Sequence, residues 1–306
     1  MKFSILIPTY KHLFLKEAID SILSQSYTNY EIIIVNDASP YDIDSIIYSY
    51  NDNRIKYFKN EKNCGAINVV DNWNTCLRYA TGDFLICMGD DDKLLPNCLD
   101  EYVKLIDKYP NLNIYHAWTE IINDESNIIA LQNSQPEWEN VYSLIWHRWN
   151  GRVQYIGDFL YNVRFLKKCG GFYKLPLAWG SDEISANIAA KEFGIANTQV
   201  PIFQYRINSQ TITQTGNVSV KLEAILKEKQ WYNNFLLERP TDHIAFVYWN
   251  MLNNECRKHF EKKIALTIAE DLRQHSIFRV LYWWRLRIKY DLSMKALIYA
   301  IIQAYK

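Results

Sequence analysis

The chain has 306 residues, and its 34 lysines plus arginines are balanced by 34 aspartates plus glutamates, so no net basic field points to nucleic acid as a partner. Six cysteines form no C-x-x-C pair and show no metal-finger spacing, which fits buried thiols in a reducing compartment better than a disulfide frame. No stretch approaches the ~20 apolar residues that span a bilayer, and the run from Met1 to Pro8 is too short for a secretory core, so a cytoplasmic chain is expected.

Residues 1–117 alternate strand and helix signals. Phe3–Ile7 is a short apolar run stopped by Pro8. Leu15, Ala18, Ile19, Ile22 and Leu23 share helical spacing. Glu31–Val35 is a β-branched run that breaks in the turn cluster Asn36-Asp37-Ala38-Ser39-Pro40. Ile43, Ile46, Ile47 and Tyr50 fit one helix face, Arg54–Phe58 a third strand, and Val69 to Ala80 a helix ended by Gly82. Phe84–Met88 is the fourth strand, Leu95–Tyr109 a helix, and Leu112–His116 the fifth strand. This rhythm predicts an α/β fold: a mostly parallel sheet with helices on both faces. It breaks at 117, and 118–218 is mixed, with helical character at 161–169 and 183–193 and a strand at 195–205. Residues 219–306 read as helical, in segments near 219–237, 242–260, 263–275 and 276–305.

The most informative stretch is GDDDKLLP, where the fourth strand runs into Asp90, Asp91 and Asp92. Adjacent ionised carboxylates repel one another, and a divalent cation would offset that cost. Carboxyl ends of strands are also where open α/β sheets bind ligands. A solvated acidic turn is the plainer alternative.

In series, several pieces resemble family 2 glycosyltransferases. They are Ile5 to Tyr10 (ILIPTY), Ala18 to Tyr27, Ile34 to Ser39 (IVNDAS), Asn74 with Ala80 and Gly82, and GDDDKLLP. The resemblance implies the GT-A fold, a Rossmann-like sheet. It also implies inverting transfer from a nucleotide-sugar, most often a UDP-sugar, assisted by Mn2+ or Mg2+. Expected donor-binding residues are Pro8, Thr9, Tyr10, Asp37, Asn74, Asp90, Asp91 and Arg206. Asp37 is placed to accept from a uracil N3–H, and Tyr10 to stack on the base. Asp92 is the expected metal ligand with Asp91 beside it, although Gly89 stands where relatives carry the first acid of the motif. Arg206 would offer its fork to the diphosphate, or else sit in a polar surface loop running to Gly216-Asn217 that closes over the donor.

A general base is needed for the acceptor hydroxyl. AWGSDE at 178–183 resembles the second family signature, which assigns Asp182 as base with Glu183 as runner-up. A helix cap is the alternative. The six histidines show no metal-ligand spacing. Two rival readings stand beside the transferase: a degenerate nucleotide-sugar-binding protein, kept open by Gly89 and Asn36, and a sugar-phosphate nucleotidyltransferase. The loop PTYKHL lacks the glycines of the latter.

Residues 273–306 hold seven basic side chains against the single acid Asp291, interleaved with aromatics. Such a helix suits an anionic membrane surface, fitting a peripheral enzyme that acts on a glycan or lipid-linked glycan in surface polysaccharide or lipopolysaccharide synthesis. Packing on the catalytic domain, or on a second subunit of a homo-oligomer, is the alternative.

Overall fold

A computed structural model describes residues 1–207, 217–274 and 279–305. Ten strands form one sheet: β1 Phe3–Thr9, β2 Tyr30–Asn36, β3 Ile55–Lys59, β4 Phe84–Cys87, β5 Lys93–Leu94, β6 Ile114–Ile122, β7 Ile128–Leu131, β8 Trp138–Glu139, β9 Phe159–Asn162 and β10 Ile195–Arg206. Their order is β3-β2-β1-β4-β9-β6-β10-β5, with β7 on β6 and β8 on β10. The first four strands are mutually parallel, and β9 runs against both β4 and β6. The sheet therefore mixes senses about β9, as the sequence rhythm did not foretell. β6 also runs on past residue 117, so the region beyond the break in the rhythm belongs to the same sheet.

Pro8 does not end β1; it pairs with Val35 of β2. Alternate residues of a parallel strand turn their polar groups to the same neighbour. Leu6 O still accepts from Met88 N at 3.0 Å, but β4 stops pairing there. The missing N–H of Pro8 thus falls on the β4 side, past the last residue of β1 that pairs with β4.

Alternate residues of each strand enter opposite cores. Ile32 and Ile34 join Ile5, Ile7 and Ile86 under α1 (Leu15–Leu23), α2 (Ile43–Tyr48) and α4 (Cys98–Lys108). Ile33 and Val35 join Leu6 and Leu85 under α3 (Val69–Tyr79), α5 (Val141–Trp149) and α7 (Ser181–Ala190), with the short α6 (Val163–Lys168) at the rim. Both faces are apolar, as a covered parallel sheet requires.

The carboxyl-terminal helices are α8 (Val218–Phe235), α9 (His243–Gln274), α10 (Arg279–Leu286) and α11 (Met294–Ala304). Two segments expected at 242–260 and 263–275 are one 32-residue helix. The single segment expected near 276–305 holds two helices, joined through 287–293 and restarted by Ser293, whose Oγ accepts from Ala296 N at 3.1 Å. Leu252, Phe260, Ile264, Trp283 and Leu297 belong to the same core as Leu6 and Leu85, so these helices are fused to the sheet's second face. None of the described helices is long and apolar enough to cross a membrane.

Candidate active site

After β4 the chain turns through Gly89 to Asp92, and the three carboxylates take different tasks. Asp90 is buried, and its Oδ2 accepts from Thr9 Oγ1 (3.1 Å), Tyr10 N (2.9 Å) and Lys11 N (2.8 Å). It ties down the loop after β1. Burial, then the neighbouring Asp91 charge, push its carboxyl up to about 6. Asp92 is more deeply buried; Oδ1 accepts from Arg206 N (3.0 Å) and Oδ2 from Gly89 N (3.2 Å). Burial and the Asp91 charge raise it well above the usual carboxylate range. Asp91 is the outward member, with Lys11 Nζ at 3.8 Å.

A Cβ on Gly89 would lie 2.7 Å from Asp91 Oδ1 and 2.9 Å from Asp92 Oδ2, so a side chain at 89 would have to displace these carboxylates. Among the described residues no three acidic, His or Cys side chains converge as a ready metal site. The donor set that does exist is two adjacent hard carboxylates, one of them buried with more negative charge around it than its partners offset. That set suits Mg2+ or Mn2+ completed by phosphate oxygens, the usual manner for these ions. The residues therefore fit a cation that arrives with a diphosphate.

The loop after β2 carries Asp37. Its Oδ1 accepts from Asn60 Nδ2 (2.8 Å) and Cys64 N (3.0 Å), which leaves Oδ2 the less committed oxygen. Asn36, in place of the family's first acid, accepts from Ser39 N (2.8 Å) and donates to the Tyr57 hydroxyl (2.8 Å). Tyr10 is 44% exposed, edge-on to Tyr41, which stacks on His12 at 4.5 Å. Thr9 and Pro8 shape this loop from within β1.

Two expected donor contacts are corrected by the geometry. Asn74 faces Phe172: its Oδ1 accepts from Phe172 N (2.8 Å) and its Nδ2 donates to Phe172 O (3.2 Å), so its amide is spent on the backbone. Arg206 is fully buried over the Phe14 ring. Nε donates to Asp91 O, Nη1 to Asn123 O and Asp124 O, and Nη2 to Glu17 Oε2 and Ser126 Oγ, all within 3.1 Å. All five N–H groups are used, and no fork remains for a diphosphate. The closing loop expected from 208 lies outside the described residues.

A cleft of about 590 Å³ opens beside the aspartate turn, lined by Trp73, Tyr155, Trp179, Tyr205, Asp182 and Lys263 among others. Tyr155 and Tyr205 stack at 3.5 Å. Asp158, buried, holds this wall by accepting from Tyr155 N (2.8 Å), Gln132 Nε2 (2.8 Å) and Thr119 Oγ1 (2.6 Å). Tyr205 precedes Arg206, whose N–H reaches Asp92, so one residue separates the cleft wall from the aspartate turn.

At the other wall the segment Leu177, Ala178, Trp179, Gly180 leads into α7. Leu177 (φ 60) and Ala178 (φ 55) are left-handed, unfavourable for side chains with a Cβ and typical of a held functional turn. Gly180 (φ 89) caps the helix without a side-chain bond. Asp182 in the first turn is not the cap; among the described residues its carboxylate takes hydrogen bonds from its own backbone N–H and that of Glu183 but from no side chain. Burial raises its carboxyl, opposed by the Arg148 guanidinium. Glu183 is engaged on both oxygens, by the Tyr232 hydroxyl and by Arg148 Nε. Burial works to raise it, but Arg148 and Lys263 outweigh burial and hold it below the usual range. Behind it, Glu228 is fully buried and accepts twice from Lys263 Nζ at 2.7 Å. Arg148, Tyr155, Tyr205, Glu228, Tyr232 and Lys263 were not singled out from the sequence. Lys263 sits in a polar Glu261-Lys262-Lys263 run with nothing local to mark it as inward.

The arrangement offers a carboxylate in an aromatic cleft, near an acidic turn. Comparison with known proteins gives the family. The family described as glycosyl transferase family 2 matches residues 4–170. Over 125 residues the chain is 32% identical to the Escherichia coli UDP-Glc:alpha-D-GlcNAc-diphosphoundecaprenol beta-1,3-glucosyltransferase WfgD, a stretch that is 40% of this chain and 47% of that one. The chain matches less than half the length of its curated relatives. Its fold is similar to a fragment of S. aureus TarS in complex with UDP-GlcNAc (TM-score 0.58, 16% identity, 94% of this chain and 88% of that one). It is also similar to a Pyrobaculum calidifontis mannosyltransferase in complex with GDP-Man and Mn2+ (TM-score 0.51, 14% identity, 99% and 84%).

Proposed function

Because this chain belongs to glycosyltransferase family 2, we propose that it is an inverting transferase moving a hexosyl or N-acetylhexosaminyl group from a UDP-sugar to a hydroxyl of a lipid-linked glycan. The observation that carries this reading is the contrast between neighbours at the start of α7. Glu183 has both oxygens engaged by side chains, while the Asp182 carboxylate lines the cleft and is met only by backbone N–H groups at the helix start. Asp182 is thus the base and Glu183 its support.

In the step, Asp182 accepts the proton of the acceptor hydroxyl as that oxygen bonds to the anomeric carbon. The bond from that carbon to the diphosphate breaks on the opposite side, and the nucleoside diphosphate leaves with the electron pair. A divalent cation held by Asp91 and Asp92 would offset the charge growing on that leaving group. Asp90 keeps the Thr9–Lys11 loop against the turn, and Tyr10 offers a ring for the base. The uridine donor is favoured by the names of WfgD and of the TarS complex, the glycan acceptor by that of WfgD, and the cation by the mannosyltransferase complex.

The carboxyl-terminal face suits an anionic membrane. α10, α11 and the segment joining them bury Trp283, Leu297 and Ala300 yet leave Trp284, Ile288, Ile298 and Ile302 in solvent, with Arg285, Lys289 and Lys295 also exposed. We place the protein at the inner membrane surface, where lipid-linked acceptors are reached.

The test is UDP release from UDP-Glc and UDP-GlcNAc with Mn2+, with and without a GlcNAc-diphosphate-prenol acceptor. Acceptor-stimulated release that EDTA abolishes is expected. Asp182→Asn should lose about a thousandfold or more in kcat while still binding UDP. Donor binding without any turnover in the wild-type protein would leave the degenerate binding protein as the reading.

A further inference from the structure

We infer that the Glu228–Lys263 ion pair, supplied by α8 and α9, is a positioning element that props the Gly180 turn and so fixes where Asp182 points. This rests on the transferase reading above. The pair lies against that turn: a Cβ on Gly180 would stand 3.0 Å from Glu228 Cδ and 3.2 Å from each carboxylate oxygen. Glu228 is fully buried and doubly bound by Lys263, and Lys263 itself lines the cleft. One helical turn beyond Glu228, Tyr232 donates to Glu183, which holds Arg148. Two carboxylates and two cations thus back the start of α7, assembled from α5, α7, α8 and α9. Burying an ion pair is seldom the cheapest route to stability, since an apolar pair of similar volume does as well. Its value here is geometric. The family match ends at residue 170, so the props come from helices outside it.

The experiment compares the whole protein with the neutral double variant Glu228→Gln/Lys263→Met, which leaves neither charge unpaired, and with Lys263→Arg. Amide hydrogen exchange over residues 177–183 and steady-state UDP release are read together. In the double variant, exchange at 177–183 should rise about tenfold, while residues 3–9 stay protected. Its kcat should fall about tenfold or more, with donor KM within about twofold. Lys263→Arg should recover most of kcat. Should the double variant not fold, Glu228→Gln alone, which keeps the side chain's shape and leaves the part-exposed Lys263 near Glu183, is read for the same exchange and kcat changes. Unchanged exchange and kcat, or a loss confined to KM, overturns the inference. A wild-type protein without UDP release overturns the transferase reading instead, and the exchange result still judges the prop.

Discussion

Arg206 shows how burial decides a side chain's task. Its guanidinium joins the loop after β6, the start of α1 and the aspartate turn. Lysine cannot reproduce five planar bonds. Arg206→Lys should therefore lower unfolding stability by about 3 kcal/mol, read as a shifted urea midpoint, with UDP affinity little changed in the folded fraction. Weaker UDP binding at unchanged stability would restore it to the diphosphate. Strand ends and acidic turns are local signals, and the sequence could point to them. It did not separate ligand-facing from structural residues. Asp92 and Asp91 were expected at the metal and Asp90 at the donor; in the fold Asp90 binds the β1 loop, Asp91 faces outward and Asp92 is bound by Gly89 and Arg206. Asn74 fell in a family pattern, but its amide answers Phe172, almost a hundred residues away. Such assignments depend on long-range partners that no local spacing encodes.

Helix α9 carries the same lesson at the level of elements. Its polar run at 261–263 broke the apolar periodicity, so one helix read as two. In the fold that run lies where α9 crosses the sheet-bound helices, and Lys263 turns inward to Glu228. One turn earlier His259 stacks on Trp149 at 4.3 Å. Burial depresses its pKa from 6.5 to about 4. Between those values the unfolded chain binds a proton that the folded chain does not, so stability is lost as pH falls through that window. The full effect is about 3 kcal/mol. Glu228 acts in the opposite sense, its carboxyl raised by burial to about 7, so the His259 contribution must be read as a difference. His259→Phe keeps the stack and removes the titration. The gap between the two proteins' stabilities should change by about that amount from pH 7 to pH 4. Parallel curves would show that His259 does not titrate there.

For the whole molecule, the α/β architecture was readable because strand and helix periods alternate cleanly through β4, whereas β9 and β10 join the sheet from a region without that rhythm. The carboxyl-terminal helices prove to be core on one side and apolar–basic on the other, so packing and membrane contact were never exclusive. Placing acids among the exposed apolar residues of the outer side tests the second role. Trp284→Glu/Ile288→Glu should reduce co-sedimentation with phosphatidylglycerol vesicles about tenfold, with phosphatidylcholine vesicles as the uncharged control. Unaltered binding would remove this face from membrane contact. The placement of β10 between β6 and β5 carries one more consequence, for synthesis. Residues 93–94 and the far edge of β6 find their partner only when 195–206 has emerged from the ribosome. Until then a nascent chain with its first four strands already paired presents an open hydrogen-bonding edge. A polypeptide ended at 170 would keep that edge for good, and should come off the ribosome prone to associate with copies of itself.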